Sequence, residues 1–155
     1  MDVLIPGFKK LELENVLLDF NGTLATDGKI SVIVKNYLRK VAEKYHVYVI
    51  TADTHHSVSR ECRDLPICLR TFESDYVADA KLAVIEQLGG ESCVAIGNGR
   101  NDIKMLQQAA LSIAVLGQEG IYAPLLINAD VATKSIEDAL AMLLDEKRLI
   151  ATLRG

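Results

Sequence analysis

Asp19 ends the hydrophobic run Val16, Leu17 and Leu18, and Asn21, Gly22 and Thr23 follow it within VLLDFNGTLATDG, residues 16–28. The run suits a buried strand and the Asn-Gly-Thr sequence a tight turn. Such a turn presents a carboxylate, a hydroxyl and backbone N–H groups to one bound anion. Further along, HVYVITAD ends in Thr51, whose hydroxyl suits a phosphate oxygen, although Thr51 and Asp53 also suit the N-cap of a helix opening HHSVSREC. In YVADAKLAVIEQLG, residues Val77, Lys81, Val84, Ile85 and Leu88 recur at helical spacing, so Lys81 lies on the stripe that should face the core. Its ammonium then either meets an anion or snorkels to solvent from near the helix start. CVAIGNGRNDIKML sets Asn98, Asn101 and Asp102 in a polar loop, as oxygen ligands or as caps of the next helix. Magnesium keeps several waters and takes one or two carboxylates plus phosphate oxygens, so Asp19 and Asp102 with a substrate phosphate suffice for it.

These residues can share a site only if their segments meet at one edge of a sheet. Apolar strand-like runs at 16–20, 47–51, 66–70, 92–97, 111–116 and 129–133 alternate with helical stretches near 31–45, 55–63, 76–88, 101–110 and 135–145. That alternation predicts a parallel sheet, and right-handed crossovers make it an α/β, three-layer, doubly wound fold with ligands at the carboxyl ends of its strands. Residues 1–13 read as an arm or an added strand without a fixed place, and EKRLIATLRG at the end is equally ambiguous.

The 155 residues, half of them hydrophobic, fit a single domain spanning 1–155 with one substantial core. Seventeen basic residues against 21 acidic ones, a net charge of −4 and no Lys/Arg cluster speak against nucleic acid as a partner. With no apolar stretch near the roughly 20 residues of a membrane span and no signal-like start, the expectation is a soluble cytoplasmic protein away from membranes. Cys62, Cys68 and Cys93 lack the spacing of zinc or redox sites and read as small buried or half-buried thiols. His55 and His56 read as a solvated helix start or a peripheral substrate contact.

The order D-x-x-G-T-L, hydrophobic-T-x-D, helical Lys and G-x-G-x-N-D resembles the haloacid dehalogenase (HAD) superfamily of phosphohydrolases over roughly residues 15–145. DFNGTL is similar to the D-K-T-G-T-L phosphorylation motif of P-type ATPases, ITADT to their T-G-D and IGNGRND to their G-D-G-x-N-D. The likeness is greatest to the small soluble P-type-ATPase-like phosphatases, which keep the phosphorylation domain without membrane or nucleotide domains. The resemblance implies a HAD-like Rossmannoid fold and a hydrolase in which Asp19 attacks phosphorus and forms an aspartyl phosphate. It implies that Thr51 and Lys81 hold the phosphoryl oxygens, that Gly22 and Thr23 shape the turn and that Asn101 braces the loop. It makes Mg²⁺ the cofactor, bridging Asp19, the Asn21 carbonyl, Asn98, Asp102 and the phosphate.

Two residues depart from the pattern. Asn21 stands where these phosphatases carry an acid–base Asp, a function worth about 10²- to 10⁴-fold, which predicts slow turnover and a lingering phosphoenzyme. Asn98 replaces a metal-binding Asp, which predicts weak magnesium affinity that improves with phosphate. Only residues 22–30 and 71–75 occupy the usual cap insertion points, so no cap domain is expected, and the open site predicts a bulky substrate or a homo-oligomer. The phosphate substrate, small-molecule or macromolecular, is not legible. A catalytically weak phosphate-binding regulatory protein is the competing reading, ahead of ATP-driven phosphoryl transfer, for which no nucleotide domain is present, and of dehalogenation.

Overall fold

A hairpin opens the chain, β1 (Asp2–Leu4) paired antiparallel with β2 (Lys10–Glu12), and forms a small sheet of its own. The strands that follow are β3 (Asn15–Asp19), β4 (His46–Thr51), β5 (Cys68–Thr71), β6 (Cys93–Gly97), β7 (Leu111–Val115) and β8 (Val131–Thr133). They build one parallel six-stranded sheet in the order β5-β4-β3-β6-β7-β8. The computed structural model describes residues 1–52, 57–72 and 74–155. β3, β6 and β7 are buried at every position, as parallel strands covered on both faces must be.

Alternation along each strand divides the core. Val16 and Leu18 of β3, Val94 and Ile96 of β6 and Ile113 of β7 face one layer, made of α1 (Val32–Ala42), α6 (Ile136–Leu144) and α7 (Glu146–Leu153). Leu17, Ala95 and Ala114 face the other, made of α3 (Val77–Leu88), α4 (Ile103–Gln108) and α5 (Leu125–Asn128). A short α2 (Ser57–Cys62) joins the first layer through Val58 and Cys62. The fold is therefore the three-layer doubly wound arrangement, and neither insertion point carries a cap domain.

Local signals fix the helix ends. Ser31 caps α1 by accepting the Val34 N–H at 3.1 Å, and Ser135 caps α6 by accepting that of Asp138 at 3.1 Å. β8 begins two residues later than the sequence suggested, because the N–H of Asp130 is spent on Ser112 Oγ at 2.9 Å. β5 likewise starts after Pro66, which has no N–H to give a sheet. The ambiguous ends also find places. Val3, Ile5, Leu11 and Leu13 of the hairpin pack into the first layer, the tail forms α7, and the Gly155 N–H returns to the Pro6 carbonyl at 3.2 Å. Cys62 and Cys93 are buried as expected, whereas Cys68 is exposed. Among the described residues no helix is long and apolar enough to cross a membrane.

Candidate functional site

The neighbours of β3 are β4 on one side and β6 on the other, so the direction of strand succession reverses at β3 and a crevice opens beyond its carboxyl end. Asp19 is the last residue of β3 and is 7% exposed. α3 packs on one face of the sheet with Val77, Lys81, Val84 and Ile85 buried, and Lys81, near the start of the helix, has no exposure of its own and reaches the crevice. Lys81 Nζ donates to Asp19 Oδ1 at 2.5 Å, to Asp102 Oδ1 at 2.6 Å and to Asn101 Oδ1 at 3.2 Å. A buried ammonium left alone would cost several kcal/mol, about what two carboxylates at this distance return.

Two carboxylates share one ammonium, and the count leaves a negative excess. Burial, then the nearby charge of Asp102, pushes the Asp19 carboxyl up to about 6, against the opposing pull of Lys81 and of the Phe20 N–H. Burial alone would push the Lys81 ammonium down, but Asp19 and Asp102 outweigh it and hold it above its usual range. The ammonium therefore stays charged at neutral pH.

The loop after β6 is shaped around Asp102. Its Oδ2 accepts the N–H groups of Asn98 at 3.1 Å and Gly99 at 2.8 Å, and a Cβ on Gly97 would stand 2.4 Å from its Cγ, so only glycine fits there. A 3₁₀ turn, Arg100–Asp102, then leads into α4. Asn98 is tied on every side: Thr23 Oγ1 donates to its Oδ1 at 3.0 Å, its Nδ2 donates to the Gly120 carbonyl at 3.1 Å, and its own carbonyl accepts the Tyr122 N–H at 2.8 Å. Gly22, at φ +75°, packs against that amide, and a Cβ there would lie 2.4 Å from Asn98 Nδ2.

Asp19, Thr23, Lys81, Asn98, Asn101 and Asp102 thus form one hydrogen-bonded group, with Gly22 in the turn that closes it. Thr51 is buried at the end of β4, one residue beyond Ile50, the register partner of Asp19. Asn21 stands exposed on the rim, bridged to Ala25. Asp53, His55 and His56 lie outside the described residues. The group that sequence reasoning missed is the segment after β7, residues 116–122, where Gly117, Glu119, Gly120 and Tyr122 reach the same crevice. Its signal was available, a Gly-Gln-Glu-Gly turn at the carboxyl end of a strand, but its Glu119 belongs to none of the spaced motifs that drew attention to the other loops.

Among the described residues no three His, Cys, Asp or Glu side chains converge as a preformed metal cage. A hard cation here would rest on oxygens of several kinds, from Asp19, Asp102, the Asn21 carbonyl and Asn98 Oδ1, together with those of a bound anion. Beside them an open cleft of about 540 Å³ runs along Ala78, Arg100, Asn101, Ile103, Lys104 and Tyr122.

Comparison with known proteins agrees with this architecture. The sequence pattern of the haloacid dehalogenase-like hydrolases matches residues 77–141, which take in Lys81, Asn98, Asn101 and Asp102. An uncharacterized protein of Methanocaldococcus jannaschii is 44% identical over 79 residues, 48% of this chain and 85% of that protein. Phospholipid-transporting ATPase 2 of Arabidopsis thaliana is 27% identical over 115 residues, 72% of this chain but 9% of the ATPase. Among solved structures, 3-deoxy-D-manno-octulosonate 8-phosphate phosphatase from Moraxella catarrhalis, in complex with magnesium, phosphate and KDO, superposes with a TM-score of 0.69 at 19% identity, over 92% of this chain and 94% of that one. The cobalt-bound form of the deoxy-D-mannose-octulosonate 8-phosphate phosphatase from Haemophilus influenzae gives 0.73 at 15% identity, over 93% and 94%. These structures share the fold, and the matched pattern covers the helix of Lys81 and the loop of Asp102: the chain belongs to the haloacid dehalogenase-like hydrolases.

Proposed function

We propose that the chain is a magnesium-dependent phosphatase that works through an aspartyl phosphate on Asp19. The observation that carries the reading is the buried ammonium of Lys81 held between the carboxylates of Asp19 and Asp102, at 2.5 and 2.6 Å, at the carboxyl end of β3 where the strand order reverses. The donor set suits a hard divalent cation because it is rich in oxygen and carries more negative than positive charge. Asp19, the Asn21 carbonyl, Asn98 and Asp102 would hold it. When bound, magnesium supplies charge neutralisation at the phosphoryl oxygens.

The chain's own residues do the rest. An Asp19 oxygen attacks phosphorus in line with the ester oxygen, the new O–P bond forms, and the bond to the leaving group breaks. Lys81 and the Thr51 hydroxyl hold the phosphoryl oxygens, and Asn101 keeps the ammonium from swinging away. The Asn21 amide can neither protonate the leaving group nor take a proton from water, so good leaving groups react best and the phosphoenzyme lingers. The cleft beside Arg100 and Tyr122 leaves room for a leaving group larger than a simple alkyl chain. Asn98, lacking a charge, leaves cation affinity weak until phosphate adds its own oxygens.

Hydrolysis of p-nitrophenyl phosphate with and without Mg²⁺, by the wild type and Asp19→Asn, tests this together with trapping of a hydroxylamine-sensitive phosphoenzyme. Magnesium-dependent turnover or labelling that disappears in the variant is expected. Absence of both across phosphate esters and acyl phosphates would favour a phosphate-binding regulator of the same fold.

A further inference from the structure

Residues 116–122 are fastened across the mouth of the crevice from several sides. The Gly120 carbonyl accepts from Asn98 Nδ2 at 3.1 Å, the Tyr122 N–H donates to the Asn98 carbonyl at 2.8 Å, and the Asp27 N–H donates to Glu119 Oε1 at 2.7 Å. Gly117 approaches the turn after Asp19 so closely that a Cβ on it would stand 2.9 Å from the Gly22 carbonyl oxygen. The second oxygen of Glu119, Oε2, lies 3.2 Å from the point a Gly22 Cβ would occupy, and Asn98 Nδ2 lies 2.4 Å from that same point. A carboxylate anchored through one oxygen therefore presents the other beside the Asn98 amide and above the turn that carries Asn21.

The amide at position 98 explains why this segment can sit there. A backbone carbonyl only accepts, so the group facing Gly120 must be a donor. An aspartate at 98 would set oxygen against oxygen and lose this tie, whereas asparagine makes it at the loss of one negative charge. The segment so held brings in a different carboxylate.

We propose that Glu119 is a positioning residue for the divalent cation, returning from outside the inner ligand set the negative charge that Asn98 and Asn21 lack. This rests on the magnesium-dependent reading above. Magnesium keeps several of its waters, so a carboxylate beyond direct reach still accepts a hydrogen bond from one of them and adds its field to that of Asp19 and Asp102. Glu119 is exposed, so salt screens its contribution.

The test is calorimetric titration of the full chain with Mn²⁺, in the presence of inorganic phosphate, at low and high ionic strength. Glu119→Gln keeps an oxygen for the Asp27 N–H and removes only the charge, and should weaken Mn²⁺ binding about five- to tenfold at low salt, with the difference shrinking at high salt. Glu119→Asp keeps the charge on a shorter stem and should stay within about twofold of the wild type. Glu146→Gln, at the opposite end of α6 from the crevice, removes the same formal charge and should change nothing. Equal binding by wild type and Glu119→Gln would overturn the proposal while leaving the phosphatase reading intact, and equal weakening by the Gln and Asp variants would show that Glu119 only holds the loop. A wild type that binds no Mn²⁺ would remove the magnesium reading and this inference together.

Discussion

Two polar clusters sit at opposite edges of the same sheet, and they handle charge differently. At the amino ends of β7 and β8, Asp130 Oδ2 accepts the N–H and the hydroxyl of Ser112, each at 2.9 Å, while Ser112 Oγ accepts the Asp130 N–H at 2.9 Å. The remaining charge of Asp130 faces water and Lys9, 3.8 Å away. Nothing in that cluster calls for another ion. At the carboxyl ends, Asp19 and Asp102 compete for Lys81, and burial keeps water from making up the difference. Both clusters are well hydrogen-bonded, so hydrogen-bond satisfaction alone does not tell a structural cluster from a functional one. Net charge and burial do.

That contrast is open to experiment. Asp19→Asn should lower phosphatase turnover by about 10⁴-fold or more, as removal of a nucleophile does, while Asp130→Asn leaves kcat within about twofold. Comparable losses in the two variants would erase the distinction. On stability the order should follow charge. Lys81→Met keeps the bulk of the stem but strands two buried carboxylates, so it should cost about 3–5 kcal/mol in urea denaturation, and lowering the pH toward 4 should recover part of the loss as the Asp19 carboxyl protonates. Ser112→Ala removes the hydroxyl that donates to the Asp130 carboxylate and accepts the Asp130 N–H, at an edge open to water, and should cost about 1–3 kcal/mol. If the serine change proved the more costly, the balanced cluster would be the real keystone.

How far the sequence alone reached follows the same physics. Strands β3, β6 and β7 were legible because full burial writes an unbroken apolar run, and Lys81 because a lone cation on an apolar helical stripe is conspicuous. Asp102 could be read as ligand or cap, and the geometry explains the ambiguity: one oxygen takes loop N–H groups as a cap would, and the other faces Lys81. The hairpin of β1 and β2 was not legible, since three-residue strands alternate too briefly to separate from a loop and their burial depends on the distant α6 and α7 layer. The engagement of Asn98 with Gly120 was hidden as well, because it joins segments that meet only once the sheet has formed.

The remaining effect is the one most particular to the crevice. In the folded protein the Asp19 carboxyl stands at about 6, above its ordinary 3.8. Between those two values the folded state binds more protons than the unfolded one, so stability falls as pH rises from about 4 to 6 and then stays depressed. The gap between them corresponds to roughly 3 kcal/mol at most, and relaxation of the crevice brings the expected penalty to about 1–3 kcal/mol. The amide introduced by Asp19→Asn mimics the neutral acid and escapes that penalty, so in magnesium-free buffer with a chelator the variant should melt several degrees above the wild type at pH 8, with the gap closing near pH 4. Added Mg²⁺ should narrow the gap from the other direction, by stabilising the wild type alone. A wild type that melts above the variant at pH 8 without magnesium would mean that Lys81 already neutralises the crevice, and the two edges of the sheet would then be electrostatically alike.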